Sequence, residues 1–210
     1  MKHIKNIIFD YGGVIINLDM QTPLDLLKLH SRLNVEEVWK EMHSKKVFEM
    51  YEQGILSDEE FRNAIRNFFN IQIDDELIDQ IWNSLLLDMP QERIELLSKC
   101  QIQYQTFLLS NSNPIHYNSY LSQLQNRYKI NSFNDLFKKA YFSFEMKLLK
   151  PSSEIFQKII DTHQLKVGET LFIDDTLVHI ETARKMGFQT VYLTDGRKIT
   201  DLFSSDGRLK

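Results

Sequence analysis

A single cysteine, Cys100, is the first scarcity in this 210-residue chain. One thiol cannot build an intramolecular disulfide framework, and its solitude suits a reducing cytoplasm. No motif surrounds Cys100, so it reads as a small apolar filler rather than a nucleophile. Apolar runs of about 20 residues, the length needed to span a bilayer, are also missing. Lys2 and Lys5 precede Ile7-Ile8-Phe9 in the manner of a signal peptide, but Asp10 interrupts that run too early for export. Positive charge is not in excess: 25 Lys and Arg stand against 29 Asp and Glu, a formal net charge of −4. That balance gives no electrostatic case for nucleic acid or an anionic membrane as partner. Internal repeats, low-complexity tracts and long linkers are absent too. A hydrophobic content of 42% with 26% charged residues is that of an ordered globular protein. The expectation is a soluble cytoplasmic protein.

What the chain does have is a series of short apolar runs, three of which end in polar groups. Ile7-Ile8-Phe9 ends in Asp10, followed by Gly12-Gly13; Phe107-Leu108-Leu109 ends in Ser110-Asn111; Leu171-Phe172-Ile173 ends in Asp174-Asp175. Runs of this kind form buried parallel strands. An open α/β sheet binds ligands beyond the carboxyl ends of its strands, so these three sites should meet in one crevice, where Lys150, before Pro151, can join them. Three carboxylates, a hydroxyl and an ammonium can hold Mg²⁺ and a phosphoryl group together.

Between Thr22 and Leu87 the apolar spacing changes to that of helices. Thr22-Pro23 reads as a helix start with a capping hydroxyl, and Leu24, Leu27, Leu29 and Leu33 supply apolar positions. Val35, Val38, Trp39 and Met42 continue a second helix. Ser57-Asp58-Glu59-Glu60 is a capping box ahead of Phe61, Ile65, Phe68 and Phe69, and Leu77, Ile78, Ile81, Trp82 and Leu85 form a further series. From about Gln91 strands and helices alternate again, with strands near Thr106–Leu109, Lys139–Ser143, Thr170–Ile173 and Gln189–Leu193. The predicted class is α/β, a doubly wound parallel sheet. The core is expected over residues 1–18 and 88–210, with a helical cap over 19–87 that covers the crevice and excludes water.

The four motifs, Phe9-Asp10-Tyr11-Gly12-Gly13-Val14, Leu109-Ser110-Asn111, Lys150-Pro151 and Phe172-Ile173-Asp174-Asp175, resemble in order and content those of the haloacid dehalogenase-like phosphohydrolases. Phe48-Glu49 through Glu52, Gly54, Ser57 and Phe61, with Ser110-Asn111-Ser112-Asn113, is similar to the bacterial sugar-phosphatase branch that includes α-D-glucose-1-phosphate phosphatases. The resemblance implies a Mg²⁺-dependent phosphatase acting on a small phosphorylated metabolite. Asp10 would attack phosphorus and become an aspartyl-phosphate. Asp10, the Gly12 carbonyl and Asp175 would hold the metal, with Asp174 in direct contact or one step behind. Ser110 and the Asn111 N–H would bind phosphoryl oxygens, and Lys150 would add a positive charge.

Two positions depart from the family pattern. Most members carry an acid/base aspartate two residues after the nucleophile, where this chain has Gly12. Loss of a proton shuttle typically removes roughly 10² to 10⁴ in rate. The absence matters least for acidic leaving groups, which favours sugar 1-phosphates and acyl phosphates, and leaves Glu49, Tyr51, Glu52 and Asp19 as candidate substitutes, each of which taken singly reads rather as a surface or structural residue. Gly12 can also serve a φ that other residues avoid. His179 stands where the family usually has Asp or Asn, and either supports the site as a neutral hydrogen-bonding group or lies on a helix face near solvent. Two rival readings stay open. A metal-free 2-haloacid dehalogenase also lacks the second aspartate but has no use for the Asp174-Asp175 pair, and a phospholigand-binding protein would keep the pocket without turnover.

Overall fold

Ile7, Ile8 and Phe9 leave the first strand no solvent-compatible face, so it belongs inside a sheet covered on both sides. The computed structural model, which describes residues 3–194 and 196–210, has it there. Lys2, read above with Lys5, lies outside the described residues. β1 (Asn6–Phe9) is the middle strand of five; the others are β2 (Gln105–Ser110), β3 (Lys139–Phe142), β4 (Thr170–Asp174) and β5 (Gln189–Tyr192). Their order is β3-β2-β1-β4-β5 and every neighbouring pair is parallel. Phe9 pairs with Leu108 on one side and Ile173 on the other, which brings the polar ends of three strands level. Order reverses between β3 and β4, and the crevice at such a switch point is where open α/β sheets bind ligands.

Alternation along the strands assigns one face to each of two helical layers. Ile7 and Phe9 pack with Leu97, Cys100 and Tyr120, from α6 (Gln91–Gln103) and α7 (Pro114–Gln123). Ile8 points the other way, into a cluster with Phe156, Ile159, Ile180 and Ala183. α9 (Ser153–His163) and α10 (Leu177–Lys185) supply that layer. The fold is therefore doubly wound, as the sequence predicts.

Five helices lie between β1 and α6: α1 (Thr22–Lys28), α2 (Val35–Ser44), α3 (Val47–Glu52), α4 (Asp58–Phe69) and α5 (Asp75–Asn83). A short α8 (Ser143–Met146) follows β3. Met42, Tyr51, Phe61, Phe69 and Trp82 form a core belonging mainly to the helical block. The chain crosses into and out of this block side by side, with Asn17 N–H donating to the Asp88 carbonyl, Leu87 N–H to Asn17 and Asp19 N–H to Leu85, at 2.8 to 3.0 Å. Ser57 and Glu60 form the expected capping box. The start of α1 differs from expectation: the Thr22 hydroxyl caps nothing and donates to Asp19, whose carboxylate also accepts from the backbone N–H groups of Gln21 and Thr22. Leu29 and Leu33 differ as well, being 75% and 45% exposed where the chain turns between α1 and α2. Among the described residues no helix is long and apolar enough to cross a membrane.

His116 joins the helical block to the sheet layer. Its ring stacks on Trp82 with centroids 4.7 Å apart and planes 11° from parallel. Asn113 Oδ1 accepts from the His116 N–H at 3.0 Å and from Trp82 Nε1 at 3.3 Å, so its Nδ2 donates to His116 Nδ1 at 3.2 Å. His116 Nε2 then carries the proton and donates to the Trp82 carbonyl at 3.1 Å. The geometry accommodates a neutral ring, and burial lowers its pKa from 6.5 to about 4. As pH falls below 6.5 the unfolded chain takes up the proton first, so stability drops toward pH 4. Urea titrations between about pH 7 and about pH 4 should show the wild type losing on the order of 2–3 kcal/mol more than His116→Gln. Equal losses would contradict this account of the junction.

Candidate active site

The candidate side chains Asp10, Ser110, Asp174 and Asp175 sit at or just past the ends of β1, β2 and β4. The Asp10 N–H donates to the Ile173 carbonyl at 2.9 Å, continuing the ladder so that the side chain emerges beside β4. Lys150 reaches in from the loop before α9, and its Nζ lies 2.6 Å from Asp10 Oδ1 and 2.8 Å from Asp174 Oδ2. The lysine is only 3% exposed. Carboxylate oxygens of Asp10, Asp174 and Asp175 all lie within 4.8 Å of one another. Two of the three carboxylates bond the buried ammonium, and the third, Asp175, lies beside them.

Titration behaviour follows from that crowding. Burial raises the Asp10 carboxyl to about 7; Lys150 pulls it down, and Asp174 and Asp175 push it up. Burial also opposes ionisation of Asp174, but Lys150 and His179 outweigh it and hold this acid below its usual range. Asp175 is raised, by burial and then by Asp174. Lys150 itself stays charged, since the attraction of Asp10 and Asp174 overcomes the cost of burial. Clustered hard oxygens with unneutralised negative charge are what a divalent cation such as Mg²⁺ takes as ligands, so the donor set fits magnesium.

The two adjacent acids differ in their commitments. Asp174 Oδ1 accepts from the Thr176 N–H at 2.8 Å, and His179 Nδ1 lies 3.1 Å from both of its oxygens. With Lys150 added, Asp174 is surrounded by partners. Asp175 accepts from the Thr176 hydroxyl, at 3.3 Å, and among the described residues it has no ion-pair partner, which leaves lone pairs for a ligand. His179 thus touches the site through Asp174.

Ser110 is buried at the end of β2 and directs its hydroxyl to the Asn111 carbonyl at 3.3 Å. Asn111 has a role the sequence did not reveal. Its Nδ2 donates to the Lys150 carbonyl and its Oδ1 accepts from the Lys150 N–H, both at 2.9 Å, so the side chain ties the lysine loop to β2. Of the candidate substitutes for the missing acid, Asp19 caps α1 and Tyr51 donates to Asp58 at 2.7 Å. Glu49 is absent from the cavity lining, whereas Glu52 is part of it. That cavity, about 860 Å³, has Asp10, Gly12, Ser110, Lys150 and Asp175 at its floor and Trp39, Phe48 and Trp82 along its wall. In sequence, Trp39 and Trp82 read only as helix core and Phe48 only as part of the sugar-phosphatase resemblance.

The profile of the haloacid dehalogenase-like hydrolases matches residues 4–187. The chain belongs to this family. Among curated proteins it is 28% identical over 193 residues to a D-ribitol-5-phosphate phosphatase of Bacteroides thetaiotaomicron, covering 92% of this chain and 93% of that one. A crystal structure of a haloacid dehalogenase family enzyme from the same organism, in complex with magnesium and inorganic phosphate, superposes with a TM-score of 0.87 at 34% identity, over 96% of this chain and all of that one. A predicted haloacid dehalogenase-like family hydrolase from Porphyromonas gingivalis gives a TM-score of 0.82 at 29% identity, over 95% of each chain.

Space around the two glycines separates their roles. Gly12 does not occupy the left-handed region, and a Cβ there would meet only the flexible Cδ1 of Leu18, at 2.9 Å. Gly13 has φ +68, and a Cβ would lie 2.0 Å from Asp175 Oδ2. Gly13→Ala should therefore cost about 1–3 kcal/mol in backbone strain alone and displace Asp175, while Gly12→Ala costs less. Urea unfolding of the two variants checks the order, and a reversed order would contradict it.

Proposed function

We propose that this chain is a Mg²⁺-dependent phosphatase that hydrolyses a small phosphorylated sugar or polyol through an aspartyl-phosphate on Asp10. The observation that carries the reading is the buried Lys150 ammonium between Asp10 and Asp174, with Asp175 beside them at the floor of one cavity. Asp10 attacks phosphorus, the bond to the leaving oxygen breaks, and water later cleaves the aspartyl-phosphate. Lys150 pulls the Asp10 carboxyl toward its ionised form against the effect of burial and offers its charge to the phosphoryl oxygens, where Ser110 and the Asn111 N–H also donate. Asp10, Asp175 and the Gly12 carbonyl would hold Mg²⁺, with Asp174 orienting Lys150 behind them. When bound, the metal neutralises negative charge on the phosphoryl group and nucleophile.

Residues 19–87 act in this reading as the cap, with their aromatic wall over the leaving group. The relative named for ribitol 5-phosphate supports a polyol or sugar phosphate as substrate, and sugar 1-phosphates belong to the same class. The Xanthobacter autotrophicus L-2-haloacid dehalogenase, at 15% identity and a TM-score of 0.60, shares the fold alone. The crowded acid trio favours phosphate over halide. The buried single thiol suits a cytoplasmic location.

Phosphate release should be measured over a panel of polyol 5-phosphates, sugar 1-phosphates, nucleotides and acyl phosphates, with Mg²⁺ and with chelator. Turnover should require Mg²⁺ and fall by about 10³-fold or more in Asp10→Asn. Halide release from 2-chloropropionate without metal, or phosphate binding without hydrolysis of any ester, would overturn the proposal.

A further inference from the structure

We infer, resting on the phosphatase reading above, that Glu52 is the proton donor and acceptor that position 12 lacks. Among the described residues the carboxylates lining the cavity are Asp10, Asp175 and Glu52. The first two belong to the nucleophile and metal cluster. Glu52 comes instead from the helical block, at the last turn of α3, and lines the same cavity as Asp10. No described group hydrogen bonds or ion-pairs with its carboxylate, whereas Asp19 and Tyr51 are bound to partners elsewhere.

The backbone that carries Glu52 is fastened to the sheet layer. The Ser143 hydroxyl donates to the Glu52 carbonyl at 2.6 Å while accepting from the Ser112 N–H at 2.9 Å. Gln53 Nε2 donates to the Lys147 carbonyl at 2.9 Å, and Lys147 Nζ donates to the Gly54 carbonyl at 2.6 Å. Gly54 has φ +66, and a Cβ there would lie 2.5 Å from the Phe144 carbonyl oxygen, so this approach requires glycine. The clamp ties the helical block to the residues just after β3, as a supported catalytic group needs. Burial, and then Glu49, raise the Glu52 acid to about 7 against the pull of Lys150. An acid of that strength can give a proton in one step and take one in the next near neutral pH.

The balance is complete. As the Asp10–phosphorus bond forms, the ester P–O bond breaks, and its electron pair stays on the leaving oxygen, which takes the Glu52 proton. Water then attacks phosphorus, its proton passes to Glu52, and the Asp10–phosphorus bond breaks to restore the carboxylate. The net reaction is ester plus water to alcohol plus phosphate.

The test uses the Mg²⁺-loaded full chain, a polyol 5-phosphate whose alkoxide needs a proton, and nitrophenyl phosphate, whose leaving group does not. Glu52→Gln should lower turnover of the polyol ester by about 10²- to 10⁴-fold. The first equivalent of nitrophenolate in a rapid-quench experiment should appear at a rate close to wild type, which also reports an assembled site. Unchanged turnover of the polyol ester would overturn the inference, and so would an equal loss of the nitrophenolate burst, which marks a structural role. A wild type inert on both esters would overturn the phosphatase reading itself, and the assignment of Glu52 with it.

Discussion

One buried ammonium holds the polar end of this sheet together. Lys150 stands between Asp10 and Asp174 at hydrogen-bond distance, almost without solvent. Removing one partner from such a group leaves uncompensated buried charge, a loss that typically costs about 3–5 kcal/mol. The local structure is arranged to keep it in place. β1 and β4 are adjacent and in register, so their terminal aspartates face the same point. Asn111, at the end of β2, grips the Lys150 backbone from both sides. One lysine against three acids also leaves the cluster short of positive charge. A divalent cation supplies what is missing, and a phosphate can then approach.

In the proposed phosphatase the helical block is the cap over this charged floor. Trp39, Phe48 and Trp82 bring apolar surface to the cavity, which in that reading keeps water from competing with the leaving group and strengthens electrostatic contacts beneath. The block is held on two sides. The neutral His116 pins α5 to α7 on one, and Ser143, Lys147 and the close approach at Gly54 fasten the end of α3 on the other. With both fastenings made, the backbone that carries Glu52 is held at the edge of the cavity.

The middle of the sheet was legible because β1, β2 and β4 carry apolar runs with polar ends, and parallel pairing then dictates where those ends meet. Asp10, Ser110, Asp174 and Asp175 come together for that reason, and Lys150 joins them from its loop. Helix details were less legible. A threonine before proline looks like a cap, but Thr22 is itself the first helical residue, and its hydroxyl and N–H both donate to Asp19, three residues earlier. Leu29 and Leu33 fit an apolar period yet fall where the chain turns, and periodicity alone does not say where a helix stops. The bonds from Asn111 to Lys150 span 39 positions, and no local pattern encodes them. Glu52 was one of four candidate acids in the sequence, separated from the others only by which side chains the fold turns toward the cavity.

The central claim is that Asp10 becomes covalently phosphorylated during turnover. Acid-quenching the Mg²⁺-loaded protein within its first turnover on nitrophenyl phosphate, followed by peptide mapping by mass spectrometry, tests this directly. The account predicts a phosphoryl group on the peptide containing Asp10, localised to that aspartate and lost in Asp10→Asn. Nitrophenolate release with every peptide unmodified, or with the phosphoryl group on another residue, would contradict it.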